Sequence, residues 1–175
     1  MENYKIDIYE INCDNSIRFV LGTKGLKPLI VLGLNPSTAD DSKPDMTISK
    51  IIGFASRNHF DSFIMLNLYP QRTPIPDNLD LIINDSVHKD NLKAIHKILI
   101  GLDEINILAA WGEPIKKRVY LKQCLSDIFD SINGCNIYWW QIGDLTVSGH
   151  PRHPSRAAYD LGLKQLDINY YISSL

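Results

Sequence analysis

The side chains best suited to chemistry lie in one short stretch, residues 149–156, with the sequence GHPRHPSR. Its two prolines exclude a helix and a central strand, so we predict a stiff loop. The loop carries two imidazoles, two guanidiniums and a hydroxyl, on His150, His153, Arg152, Arg156 and Ser155. Groups of these types on a rigid backbone can donate protons and bind anions, which indicates a catalytic loop.

A second polar loop, residues 33–40, reads GLNPSTAD and also follows an apolar run. It offers the carboxamide of Asn35 and the hydroxyls of Ser37 and Thr38. Asn35 precedes a proline, so we predict an extended backbone there. Both loops follow runs that are typical of strands, and we expect them to form one shared site. The alternative for Asn35 is a residue of an Asx-turn, which bonds its own loop.

The histidines give little support for a metal site. His150 and His153 have the spacing of a metal-binding pair, but no third ligand stands near them in the sequence. We therefore predict that the protein uses no metal, and we expect no organic cofactor. His59, His88 and His96 fall on predicted helices, where we expect them at the surface.

The composition bounds the class of protein. The 175 residues are 45% hydrophobic and 22% charged, which predicts one globular domain over residues 1–175. The net charge of −2 argues against a protein that coats nucleic acid, but allows contacts with a few phosphates. We predict no membrane span and no signal peptide, since the apolar runs are short and the N-terminus is polar. Three cysteines without close pairing fit a reducing cytoplasm, and we expect a monomer.

Strand and helix patterns alternate along the chain. Continuous apolar runs predict strands buried on both faces at 28–33, 62–68, 105–111 and 136–142. Helical patterns occupy 47–58, 85–99, 114–132 and 161–172. Two β-prone runs precede them, at 4–11 and 16–21, and predict an antiparallel hairpin. The expected fold is a three-layer α/β/α domain with a central, mostly parallel four-stranded sheet plus the N-terminal hairpin.

A polar loop with a proline follows each of the four predicted central strands. The second strand ends in Asn67 and Tyr69, and the third in Trp111. Ligands of such sheets bind at the carboxyl ends of the strands, so we predict one site there.

These four loops, in this order, resemble those of the uracil-DNA glycosylase superfamily. Residues 33–36 match its Gly-x-Asp/Asn-Pro motif, and Asn67 matches the Asn that ends its second strand. Residues 111–112 match the Trp-Gly that follows its third strand in many members, and residues 153–155 match its His-Pro-Ser motif. The match runs from about residue 28 to residue 156, and the chain looks like an offshoot of that superfamily.

The resemblance implies a DNA glycosylase, which hydrolyses the N-glycosidic bond of a base flipped out of DNA and leaves an abasic site. Asn35 would position a water, and His153 would stabilise the departing base. Asn67 would read the base, because a carboxamide donates and accepts at once. Ser37 and Thr38 would line the substrate site, and the DNA contacts would come from His150, Arg152, Ser155 and Arg156. The structural alternatives are that Asn67 fixes neighbouring backbone and that His153 is a satisfied loop histidine.

Asn35 stands where the most active uracil-excising branch has an Asp, and a carboxamide cannot take a proton from water. The nearest carboxylates that could help are those of Asp40, Asp41 and Asp45. Asp45 also has the sequence context of a helix N-cap. These carboxylates could also accept hydroxyl groups of a substituted base.

The large ring that stacks on the base in well-known branches is missing, since Thr47 and Ile48 occupy that region. Tyr69 is predicted to stack on the base instead. We therefore expect a modified pyrimidine as substrate, such as a hydroxymethylated or glycosylated cytosine of phage DNA, in preference to uracil. Two alternatives stay open. One is an N-glycosidase that acts on free nucleotides, which the acidic net charge favours. The other is a nucleic-acid-binding module without catalysis, which the missing Asp favours.

Overall fold

The fold was obtained as a computed structural model, which describes residues 4–175. Within these residues the chain forms one seven-stranded mixed sheet and four α-helices. The strands are β1 (Ile8–Ile11), β2 (Arg18–Gly22), β3 (Pro28–Gly33), β4 (Ser62–Asn67), β5 (Ile105–Ala109), β6 (Ile137–Ile142) and β7 (Leu163–Gln165). The helices are α1 (Met46–Arg57), α2 (Asp85–Leu99), α3 (Val119–Ser131) and α4 (Ile168–Ser173). The predicted α/β class is confirmed.

The sheet is larger than predicted. Its order is β1-β2-β4-β3-β5-β6-β7, in which β4, β3, β5 and β6 run parallel. The hairpin of β1 and β2 pairs antiparallel with β4, and β7 pairs antiparallel with β6. The prediction of a four-stranded sheet plus an N-terminal hairpin therefore gave too few strands, because antiparallel strands extend both edges of the parallel core into one mixed sheet.

The predicted last helix, 161–172, is also wrong. Gly162 has a φ of 63°, a left-handed conformation that breaks the helical pattern and lets the chain turn into β7. Asp167 then starts α4 by accepting a hydrogen bond from the backbone N–H of Tyr170. The predicted helix 114–132 is interrupted as well. Arg118 is extended and separates a 3-10 turn at Glu113–Lys117 from α3.

Helices cover both faces of the sheet. In β3 the side chains alternate: Leu29 and Val31 pack against α1, while Ile30 and Leu32 face the cluster that contains α2, α3 and α4. All four side chains are at most 2% exposed. This explains the continuous apolar run of β3, since a central parallel strand is buried on both sides.

The connections create a switch point between β3 and β5. The chain leaves β3 through α1 to reach β4 on one side, then returns through α2 to β5 on the other side. The chain therefore leaves β3 and β5 toward opposite faces of the sheet, and ligands of open α/β sheets bind at such a point. No helix within residues 4–175 is long and apolar enough to cross a membrane.

Candidate functional site

The loops that follow β3 and β4 are joined by backbone hydrogen bonds. The N–H of Leu68 donates to the carbonyl of Gly33 at 2.9 Å, and the N–H of Thr73 donates to that of Pro36 at 2.9 Å. These bonds continue the ladder of the two strands beyond the sheet. As a result the two polar loops form one rigid wall at the carboxyl ends of the strands.

Asn35 lies on this wall with its carboxamide held in one orientation. Its Nδ2 donates to the carbonyl oxygens of Thr73 at 2.8 Å, Pro36 at 3.0 Å and Gln71 at 3.4 Å. Its Oδ1 accepts no hydrogen bond from residues 4–175. Two of these three acceptors belong to the loop after β4, and no backbone N–H donates to Oδ1 as an Asx-turn would require, so Asn35 ties the two loops together and still offers a fixed acceptor. That acceptor can orient a water but cannot remove its proton.

Asn67, the last residue of β4, is buried with an exposure of 0%. Both polar atoms of its carboxamide are sealed and have no partner within the described chain. It lies opposite Gly33 in the parallel register of β3 and β4, and a Cβ at Gly33 would stand 3.0 Å from its Oδ1. Glycine at this position leaves room for the carboxamide. A buried donor and acceptor without partners are costly, and a ligand group or an ordered water that bonds to both would offset this cost.

His153 is half-buried at the start of a 3-10 turn, Pro154–Arg156. The hydroxyl of Ser155 lies 2.8 Å from its Nδ1, and the backbone N–H of Ser155 donates to the same atom at 3.4 Å. Since a backbone N–H can only donate, Nδ1 is the acceptor and the ring proton resides on Nε2. Nε2 has no partner in residues 4–175, so it can donate to a ligand.

The charge state of His153 follows from its surroundings. Burial lowers the pKa of this imidazole, the carboxylate of Asp45 opposes that shift, and the guanidinium of Arg156 adds to it. The imidazole is therefore neutral near pH 7. A neutral histidine that donates through Nε2 can stabilise negative charge on a leaving group without giving up a full proton.

Asp45 connects the two motif loops. It is the N-cap of α1, where its Oδ1 accepts from the N–H of Ile48 at 2.9 Å. The predicted capping role is thus observed. The 3-10 turn that follows His153 packs against α1, and the charge of Asp45 acts on His153. Asp45 is a carboxylate close to the candidate site, and its second oxygen has no partner among residues 4–175.

Gly112 allows the loop that follows β5 to pack closely against the His-Pro loop. It has a φ of 66°, and a Cβ at this position would lie 3.3 Å from the Cβ of His153. Trp111, the residue before it, is fully buried and donates from Nε1 to the hydroxyl of Tyr171 at 2.9 Å. That hydroxyl lies 2.8 Å from Nδ1 of His150. The Trp-Gly motif therefore supports the loop that carries His153.

Two residues predicted for the site are in the core instead. Tyr69 is 1% exposed, its hydroxyl accepts from the N–H of Asn84, and its ring packs on that of Tyr120. Its ring faces cannot stack on a base in this structure. His150 is 5% exposed and bonded to Tyr171, which is a supporting position and not one on a DNA-contacting surface. The sequence showed the residue types but not their depth.

The other predicted residues lie around the rim. Ser37 is half-buried and Thr38 is exposed, next to Asn35 on the same loop. Arg152 donates from Nε to the carbonyl of Asp144 at 3.1 Å, while Arg156 is exposed. Ser155 contacts His153, so its first task is to fix the imidazole.

The acidic loop is ordered by its own backbone. One carboxylate oxygen of Asp40 accepts from the hydroxyl and the N–H of Ser42 and from the N–H of Lys43. These donors hold the pKa of Asp40 below its usual value, so the group stays ionised. Asp41 is exposed. The loop therefore presents negative charge beside Asn35 in a fixed geometry.

Sequence reasoning missed Arg18. This first residue of β2 is 2% exposed, although arginine is rarely buried without a partner. A charged side chain at the head of the apolar run RFVLG was the only signal. The surface position expected for His88 is also wrong, since this side chain is 7% exposed and its Nε2 lies 2.8 Å from Asp127.

Two clefts lie away from Asn35 and His153. One, of about 360 Å³, is lined by Phe60, Asn106 and Trp140 at the opposite edge of the sheet, where the parallel strands begin. Another, of about 270 Å³, lies behind the site beside Lys116 and His150. Within residues 4–175 no cluster of three or more histidine, cysteine or acidic residues could hold a metal ion.

Comparison with curated proteins and with solved structures gave no match. Comparison with family models matched residues 18–155, from the buried arginine of β2 to the serine of the His-Pro-Ser motif. The matching family is described as a protein of unknown function, DUF1643. Because the match covers most of the chain, this protein belongs to the DUF1643 family.

Proposed function

We propose that this protein is a DNA glycosylase of the kind found in the uracil-DNA glycosylase superfamily. It would hydrolyse the N-glycosidic bond of a flipped pyrimidine, with water entering at C1′ and the base leaving as an anion. The products are a free base and an abasic site. We propose a modified pyrimidine, such as a hydroxymethylated or glycosylated cytosine, as the preferred base.

The observation that carries this proposal is the carboxamide of Asn67. It is fully buried at a strand end, and both its donor and its acceptor lack partners in residues 4–175. A pyrimidine base presents a donor and an acceptor on adjacent atoms of its pairing edge, which a carboxamide can match with two hydrogen bonds. Reading a base would thus satisfy both groups at once.

The bonding of His153 supports the leaving-group step. Its Nδ1 is fixed as an acceptor by Ser155, so a neutral Nε2–H is the only donor that the ring offers. Placed against the oxygen of the departing base, this donor would stabilise the charge that develops as the bond breaks. The lowered pKa keeps the ring neutral, which favours hydrogen bonding over proton transfer to the base.

The attacking water needs both a holder and a proton acceptor. Asn35 can hold the water through Oδ1, because its Nδ2 is tied to three carbonyl oxygens. The free carboxylate oxygen of Asp45 is the acceptor that we propose for the proton. Asn35 would thus orient the water and Asp45 would accept its proton, two tasks that a single Asp performs in the uracil-excising branch.

The acidic loop supports a substituted base. Asp40 uses one carboxylate oxygen for its own loop and keeps the other free of partners among residues 4–175. Asp41 is exposed beside it. Carboxylates at fixed positions are good acceptors for the hydroxyl groups of a sugar or a hydroxymethyl substituent. Replacing Asp40 and Asp41 by alanine together should abolish selectivity for the modified base, and retained selectivity would show that they are not its source. Asp45 is kept in this variant because it is the proposed proton acceptor.

The test is base release from labelled oligonucleotides, followed by alkaline cleavage of the abasic site. Wild type should give cleavage products, and His153→Ala should release base roughly 100-fold or more slowly, as expected for loss of one preorganised donor. Asn35→Ala should also be slow. Arg57→Met, on the exposed end of α1, is the matched control and should retain full activity. Equal rates for wild type, Asn35→Ala and His153→Ala would refute the assigned roles.

A free nucleotide is the second candidate substrate, and the net charge of −2 favours it. A protein that grips a long stretch of DNA usually carries a basic surface. Release of base from labelled mononucleotides but not from oligonucleotides would indicate that the substrate is a free nucleotide and not DNA. Tight binding of modified DNA without base release over many enzyme equivalents would instead support a binding module.

A further inference from the structure

Arg18 is a buried cation without a carboxylate partner. Its exposure is 2%, and no carboxylate oxygen of residues 4–175 lies within 4.0 Å of its guanidinium. Nη1 donates to the carbonyl of Ala39 at 2.6 Å. Nε is sealed from solvent and has no partner, whereas Nη2 has no partner and is not sealed. An arginine in this state is costly to the fold unless something else neutralises it.

The unpaired nitrogens form one edge of the guanidinium. In arginine the N–H of Nε and one N–H of Nη2 point in parallel on the same side of the plane, opposite the group that Ala39 binds. This edge matches two oxygens of a phosphate, which accept such a pair of bonds side by side. The edge that is free in Arg18 is thus the one that arginine uses for bidentate anion binding.

A second guanidinium raises the positive charge but is not itself available. Arg72 donates from Nη1 to the hydroxyl of Tyr9 at 2.8 Å and to Asn15 at 2.7 Å, and from Nη2 to the carbonyl of Ala39 at 3.0 Å. Burial and the charge of Arg72 lower the pKa of Arg18 to about 10, so Arg18 is still protonated at neutral pH. Arg72 therefore holds the loop while Arg18 keeps a free edge.

The acidic groups around Arg18 do not pair with it. Asp45 caps α1 and Asp40 is tied to Ser42 and Lys43. Tyr4 contributes its hydroxyl to the carbonyl of Asp40 and not to the arginine. The loop thus surrounds the guanidinium without neutralising it.

Arg18 also lies at the correct edge of the sheet. Its backbone N–H donates to the carbonyl of Pro70, in the loop after β4, and Ala39 belongs to the loop after β3. The charge of Asp45 acts on both Arg18 and His153. The guanidinium therefore stands beside the candidate site.

We propose that Arg18 binds a phosphate group of the substrate through the edge that Nη2 and Nε share, with Nη2, which solvent reaches, as the first donor. If the phosphate belongs to the reacting nucleotide, this contact deepens the proposed function and rests on it. The existence of an anion site at Arg18 rests only on the hydrogen bonding of Arg18. The same chemistry serves the phosphate of a free nucleotide and a backbone phosphate of DNA. The site explains why a charged residue occupies the start of a buried strand.

Binding is tested without base release, so its outcome is separate from that of the glycosylase proposal. Thermal unfolding is followed in sodium phosphate and in sodium chloride of equal ionic strength. Phosphate should raise the Tm of wild type and of Arg57→Met, a control on the exposed end of α1, but not that of Arg18→Met. No rise in wild type, or an equal rise in Arg18→Met, would overturn the proposal.

Affinities then identify the source of the phosphate. Wild type should bind a deoxynucleoside monophosphate or a short single-stranded oligonucleotide roughly tenfold or more tightly than the deoxynucleoside, and Arg18→Met should lose this difference. Preference for the monophosphate indicates a free nucleotide, and preference for the oligonucleotide indicates DNA. If Arg18→Met does not fold, Arg18→Lys keeps the charge without the paired edge. It should bind phosphate more weakly than wild type, and unchanged binding would contradict the proposal.

Discussion

The variant Asn67→Leu tests whether the carboxamide of Asn67 binds a ligand or stabilises the fold. The carboxamide is fully buried, and neither polar atom has a partner in residues 4–175. Leucine has a similar size and removes both unpaired groups. An unsatisfied buried polar group costs about 1–3 kcal/mol, so the free energy of unfolding should rise by about that amount in Asn67→Leu. Most core substitutions have the opposite sign.

The assay is equilibrium unfolding in denaturant, with thermal unfolding beside it. For a chain of this length each kcal/mol corresponds to roughly 2–4 °C in Tm. The midpoint should move to higher denaturant with an unchanged slope, because the surface exposed on unfolding stays the same. Base release by the same variant should fall by at least about tenfold, since two hydrogen bonds to the base are lost.

Asn91→Leu is the matched control. Asn91 is also fully buried and its Oδ1 likewise lacks a partner in residues 4–175, but its Nδ2 donates to the carbonyls of Asn67 at 2.9 Å and Leu68 at 3.3 Å. Its replacement leaves these carbonyls unpaired and should lower the free energy of unfolding by about 1–3 kcal/mol. Loss of stability in both variants would refute the reasoning, because Asn67 would then hold the fold as Asn91 does.

Three further predictions concern the supporting residues. Gly112→Ala should lower the free energy of unfolding by about 1–3 kcal/mol and also slow base release, because its φ of 66° is strained for alanine and the new Cβ crowds His153. Gly134→Ala is the control: its φ is 88°, but no atom lies within 4 Å of the new Cβ, so it should lower stability without affecting base release. Tyr171→Phe should lower the free energy of unfolding by about 1–3 kcal/mol, because its hydroxyl bonds to both the buried indole of Trp111 and the buried imidazole of His150. Tyr170 is 71% exposed, so Tyr170→Phe should change the free energy of unfolding by less than about 0.5 kcal/mol. The pKa of His153 is lowered on folding, so the unfolded state takes up its proton first and the free energy of unfolding should fall as the pH drops below about 6.5. His153→Gln should lose less stability than wild type between about pH 7.5 and 5.5. An identical loss in both proteins would contradict a buried neutral imidazole.

The parallel centre of the fold was predictable from the sequence, but its edges were not. The run at 28–33 is apolar at every position, as the two buried faces of β3 require, and its predicted bounds match the structure. β7 has only three residues, Leu163–Gln165, of which two are exposed, so no periodicity marks it. The joining of β2 to β4 is a long-range pairing, and local patterns do not show such contacts.

The site was predictable as a set of loops but not as a set of contacts. Proline and polar residues after each apolar run indicated that the ends of the strands meet, and the structure brings Asn35 and Asn67 onto adjoining loops. Burial depth decided the rest. Tyr69 and Arg18 are both nearly sealed, yet neither residue type is often buried without a specific reason. Which polar atoms are left unpaired depends on distances that only three dimensions provide.

The central claim is that this site releases a modified pyrimidine from DNA. The most direct measurement is mass spectrometry of the bases released from a panel of DNAs, which includes uracil, hydroxymethylcytosine and glycosylated cytosine. We expect free modified cytosine in a one-to-one ratio with abasic sites for wild type, less or no uracil, and loss of release in His153→Ala. A clear preference for uracil would contradict the proposed substrate, and no released base from any DNA over many enzyme equivalents would contradict the central claim.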